Sequence, residues 1–187
     1  VPVGRAGNDG ALSALTGYSN GAIIPGTPYG NEASGIRAST VSEFSNRDAF
    51  ILSDGSGNNR FPIRAGTDGA AVSQPLSAAE ARAILEEAFL IMSRARAQIR
   101  QPLDSRAQVS ISVVDTFGAI LGVVRSPDAP IFGIDVSLQK ARTAAFFSNA
   151  NAASELVANG SAAVRNRSPL AQAFFNDPNI FKGQTAW

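Results

Sequence analysis

The sequence predicts an α+β fold, and three observations carry that expectation. A capped amphipathic helix opens at Ser77, an antiparallel hairpin runs from Val109 to Val124, and a second helix follows from about Ile134. Hydrophobic residues make up 44% of the 187 and charged residues 17%, a globular balance in a chain long enough for one domain with a core. Residues 1–74 read differently. They are rich in Gly, Ser, Asn, Thr and Pro, with only short apolar runs, and are expected to form a loop-rich arm or linker ahead of a domain at 75–187. Within the arm, Ala22–Ile24 and Ala49–Leu52 are the best short extended pieces. Phe61-Pro62-Ile63 is at most an edge, because proline donates no ladder hydrogen bond.

The first helix follows from Ser77 and Glu80, spaced as a capping box. Ile84, Ala88, Ile91, Met92, Ala95 and Ile99 predict its buried stripe, with Arg94, Arg96 and Arg100 near its C-terminal end and Gln101-Pro102 as its stop. Met92 on that stripe reads as core rather than as a metal ligand. In the hairpin, Val109, Ile111 and Val113 alternate with Ser110 and Ser112, as in a half-buried strand. Asp115-Thr116-Phe117-Gly118 is its turn, Asp bonding the backbone ahead and Gly free to take positive φ.

Arg125-Ser-Pro-Asp128-Ala-Pro130 is a loop pinned by two prolines. In the second helix Ile134, Leu138, Ala141 and Ala145 share one face, while Val136, Lys140, Thr143 and Phe147 share another. That second face is a candidate pocket lining. The competing reading leaves Lys140 solvated and Thr143 bonded to a carbonyl one turn back. Short helices are expected at 152–158 and 170–175.

Composition narrows the function. The chain has no Cys and no His, so disulfides, thiol chemistry, Cys/His zinc sites, Ser-His-Asp triads and His-ligated haem are excluded within it. A net charge of +1 supplies no field for nucleic acid, and no apolar run approaches a membrane span. The run from Asp54 to Asn58 places acceptors at alternate positions, but Asn59 and Ala65 stand where a calcium loop needs Gly and Glu, so it reads as a polar turn. Lack of cysteine agrees with a periplasmic or secreted protein that needs no disulfides.

Four motifs in register, LSAAEARAILEEA, VSISVVDTFG, ILGVVRSPDA and SLQKARTA, span Leu76 to Ala145. Together they resemble the haem-degrading or haem-binding GlcG/PduO/HbpS domain family. The resemblance implies an antiparallel sheet flanked by helices, assembly into oligomers, and binding of haem or a related tetrapyrrole. It places Thr143 near the iron with Lys140 beside it, and Arg125 and Asp128 complete the candidate cofactor-binding set. With no His as a second ligand, such binding would lean on apolar enclosure and on Arg or Lys contacts to the propionates.

Two departures accompany the resemblance. The Gly-rich hairpin that closes family domains does not follow the second helix, and the long front arm is not part of the usual domain. The chain is therefore expected to be a piece of a larger bacterial-type protein. The open sheet edge would be filled by its continuation, by the arm (Arg60 to Gly66) or by a neighbouring subunit. Three functions then compete: a haem- or small-molecule-binding module, a structural or oligomerisation module without cofactor, and a metal-free enzyme using Asp115, Asp128 or Lys140. The residues favour binding over catalysis, because Asp115 is better explained as a turn residue.

Overall fold

The computed structural model describes residues 28–152 and 155. The extended piece expected at 22–24 and the helix expected at 170–175 lie outside them, as does most of the helix expected at 152–158. Among the described residues the architecture is α+β: a four-stranded antiparallel sheet and two α-helices. In chain order the elements are β1 (Ile36–Ala38), β2 (Phe50–Leu52), α1 (Ala78–Arg94), β3 (Ser110–Val114), β4 (Ile120–Arg125) and α2 (Gly133–Phe147). The strand order across the sheet is β1-β2-β4-β3.

The hairpin β3–β4 forms where the alternation predicts it, with Ser110 opposite Arg125 and Val113 opposite Gly122. Gly118 takes φ 75°, which a residue with a Cβ rarely adopts, and Asp115 Oδ1 accepts from the amides of Phe117 (3.0 Å) and Ala119 (2.8 Å). The front segment supplies the other side of β4. Phe50 of β2 lies opposite Arg125 at one end, and the Arg64 amide donates to the Leu121 carbonyl (2.9 Å) near the other. The polar run at 54–58 is a turn in which Asp54 Oδ1 accepts from Ser56 (2.7 Å) and Asn58 (3.2 Å).

The two helices take opposite faces of the sheet. Phe44, Ala49, Ile51, Leu85, Phe89, Met92 and Val124 form one buried cluster, with Ile111 and Val113 against it, so α1 covers this face. Leu85 approaches the sheet so closely that a Cβ on Gly122 would stand 2.7 Å from its Cδ1. The alternate residues of β3 point the other way, where Ser112 Oγ meets Ser137 Oγ of α2 at 2.7 Å.

Helix α1 starts with the expected capping box between Ser77 and Glu80. Its buried line is Ala81, Leu85, Phe89 and Met92 and not the stripe the spacing predicts: Ile84 and Ile91 are exposed, and of that stripe only Met92 is buried. Two apolar lines run side by side on this helix. The cleft above Gly122 takes the one carrying Leu85. The helix also ends at Arg94 rather than beyond Arg100, because residues 95–97 leave the helix to bond 105–107 (Ala97 N to Ser105 O, 2.8 Å; Ala107 N to Ala95 O, 2.7 Å).

A crossed clasp joins the segment before α1 to the hairpin turn. Asp115 Oδ2 accepts from the Thr67 amide (2.8 Å) and hydroxyl (2.7 Å), while Asp68 Oδ2 accepts from the Thr116 amide (3.0 Å) and hydroxyl (2.7 Å). Burial pushes the Asp115 carboxyl up, but the donors from Thr67, Ala119 and Phe117 outweigh it and hold it below the ordinary carboxylate range. The amide and hydroxyl of Thr116 likewise hold Asp68 down.

Two predictions follow from the packing and the clasp. Gly122→Ala should cost about 1–3 kcal/mol in urea unfolding, and Leu85→Ala in the same chain should recover part of it. Because the clasp carboxyls are lowered in the native state, their contribution is complete above about pH 4 and is lost as pH falls through the lowered values. The unfolding free energy of the natural chain should therefore fall steeply below about pH 4. Asp68→Asn/Asp115→Asn should be less stable at pH 7 and less steep; equal slopes would contradict the assignment.

Candidate functional site

The structure places the candidate residues around one loop and one helix. Arg125 ends β4 and is fully buried, its Nη2 donating to the Ala129 carbonyl while the Tyr29 ring lies 5.8 Å from its Cζ. Burial pulls its guanidinium below the ordinary value, opposed by neighbouring Tyr29 and Asp128. Tyr29 stacks on Phe50, and its hydroxyl donates to the Pro127 carbonyl, so it straps the loop onto the sheet.

Asp128 faces outward from that loop. Its carboxylate pairs with the Arg100 guanidinium, whose Nη2 also reaches the Asp128 carbonyl (2.7 Å), and the Asp128 amide donates to Gln108 Oε1 (3.2 Å). The loop is thus held from both sides, and it delivers the chain into α2 at Gly133.

Lys140 and Thr143 lie on the outward side of α2, opposite Leu138, which is buried. Both are exposed, and the Thr143 hydroxyl donates to the Gln139 carbonyl one turn back (2.8 Å). Phe132, Val136 and Phe147 stand in the same line and are exposed as well, at 73%, 38% and 37%. The spacing 132, 136, 140, 143, 147 keeps all five within one stripe of the helix. No hydrogen bond or ion pair among the described residues links Lys140 or Thr143 to Arg125 or Asp128.

Sequence reasoning missed several residues that shape this region. Arg142 Nε donates to the Gly118 carbonyl (3.0 Å) and ties α2 to the hairpin turn, beside a half-open cleft of about 400 Å³ that includes Phe117 and Phe146. Arg100 and Ser110, read from the sequence only as a helix-end cation and a strand serine, and Tyr29 also meet at the 125–130 loop, to which nothing in their spacing connects them. Among the described residues there is no group of three or more His, Cys, Asp or Glu that could hold a metal, and no helix long and apolar enough to cross a membrane.

The exposure of the α2 stripe has a direct consequence. Lys140→Ala and Thr143→Val should each change the unfolding free energy by less than about 0.5 kcal/mol. A loss well above that in denaturant titration would mean that these side chains carry contacts beyond the one back-bond.

No match was found among curated proteins or solved structures. The family model for the haem degrading protein HbpS-like family matches residues 84–183, more than half of the 187-residue chain, from within α1 through the hairpin and α2. The chain belongs to the HbpS-like family.

Proposed function

We propose that this chain is a binding module for haem or a related tetrapyrrole, with the ligand lying on the outward face of α2. The observation that carries the reading is the stripe itself: three exposed apolar side chains, Phe132, Val136 and Phe147, in line with one cation and one hydroxyl. Flat apolar contact suits a porphyrin face, and the exposed Lys140 supplies a cation for a propionate. Thr143 keeps a lone pair on its hydroxyl oxygen, since its hydrogen is given to Gln139. A neutral hydroxyl is a weak axial ligand, so affinity rests on apolar contact and charge rather than on strong coordination. When bound, haem would supply the redox and oxygen chemistry, and the residues of this chain would hold and orient it.

In this reading Arg125 and Asp128 act at the root of the site. They fix the loop that sets where α2 begins. Binding ranks ahead of turnover, because the Asp115 carboxylate is occupied by Thr67 and the turn amides and that of Asp128 by Arg100. The exposed apolar stripe also favours work in an oligomer, where a second copy covers the ligand, and the lack of cysteine agrees with a periplasmic or secreted setting.

Haemin titration at micromolar protein is the test. A saturable Soret shift is expected, with affinity weakened about fivefold in Lys140→Ala, the effect of roughly 1 kcal/mol from one ionic contact. Thr143→Val should change the spectrum of the bound form. Absence of any Soret shift would end the haem reading.

A further inference from the structure

The fold buries a guanidinium and leaves most of its donors without an acceptor. Arg125 is fully buried, and although Nη2 reaches the Ala129 carbonyl, Nε and Nη1 have no hydrogen-bond partner. Asp128, the acid of the same loop, is turned outward onto Arg100. Neighbouring Tyr29 and Asp128 ease its burial only in part, and a buried cation without a full set of acceptors is costly, a cost that falls when an anion is supplied.

A second orphan stands beside it. Ser110 is the cross-strand partner of Arg125, so both side chains project from the same face of the sheet, and Ser110 Oγ is also buried without a partner. Gly133 borders the same spot: a Cβ there would lie 3.6 Å from Ser110 Oγ, so a larger residue would narrow this flank. Across the guanidinium lies the ring of Tyr29, which is about half exposed and stands between Arg125 and solvent.

We propose that Arg125 and Ser110 form an internal site for a small oxyanion, a carboxylate or an inorganic one, entered past Tyr29. The guanidinium supplies charge and N–H donors, the serine supplies an O–H donor, and the Ala129 carbonyl fixes the orientation of the Arg125 fork. The site lies between the first residue of β3 and the loop after β4, at the N-terminal end of α2. It is separate from the Lys140 and Thr143 stripe and does not depend on the haem reading.

The test uses haem-free protein with ¹⁵N-labelled arginine, following the Nε–Hε resonance of Arg125. That resonance is assigned by its loss in Arg125→Lys or, if this variant does not fold, by its contacts to the Tyr29 ring. Sodium acetate and, separately, sodium phosphate are added at constant ionic strength. The expected result is a saturable shift that exposed Arg94 does not share, a rise in the thermal midpoint, and several-fold weaker binding in Ser110→Ala. Response to acetate alone assigns carboxylates, and response to phosphate alone assigns inorganic oxyanions. A flat response to both, in the resonance and in the thermal midpoint, would mean that internal water fills these donors, and would overturn the proposal.

Discussion

The crossed pairing of Thr67-Asp68 with Asp115-Thr116 is the constraint on which the rest of the structure depends. Each carboxylate takes an amide and a hydroxyl from the other segment, so the approach to α1 and the tip of the hairpin are tied at one point. Asp115 uses its second oxygen inside its own turn, which makes the turn and the long-range contact a single unit. Charged acceptors with several donors give hydrogen bonds of the stronger kind. With that point fixed, residues just before the clasp lie along β4, Ser77 is positioned to cap α1, and Leu85 settles over Gly122.

Opposite faces of the sheet then have different tasks. The α1 face holds the continuous apolar cluster, from Phe44 and Ile51 through Phe89 to Val124. The other face mixes Ser110, Ser112 and Arg125 with buried Val123, and α2 sits over β3 there, Ser112 bonded to Ser137. A helix seated on such a face gains less from burial and is held more by its flanks. Here the flanks are the Arg125–Pro130 loop, strapped by Tyr29 and Arg100, and the Arg142 contact to Gly118. They leave the outer stripe of α2 free of structural duty, in keeping with the ligand surface proposed for it.

Much of this was legible in the sequence, for reasons that are local. Ser77 and Glu80 signal a cap three residues apart, the Val–Ser alternation signals a strand, and Asp115 with Gly118 signals a turn. Each of these depends on neighbours in the chain, and each is found. The buried side of α1 was not legible, because two apolar lines fit the same helix and Gly122, more than thirty residues on, selects between them. The clasp left only a faint trace, the inverted dipeptides Thr67-Asp68 and Asp115-Thr116. On α2 the face of Val136, Lys140, Thr143 and Phe147 was readable from spacing, and the structure adds Phe132 to it. That Arg125 would be buried, with Ser110 as its neighbour, required the register of the sheet.

The proposed function is a matter of geometry, with a tetrapyrrole on the outward stripe of α2. Ferric haem is paramagnetic, so the broadening of backbone amide resonances on adding it maps its position directly. The account predicts the strongest broadening at Val136, Lys140, Thr143 and Phe147, with Ile51 and Leu85 on the far side of the sheet unaffected. Broadening centred instead on Phe117 and Phe146, in the cleft beside Arg142, or spread evenly over the chain, would contradict it.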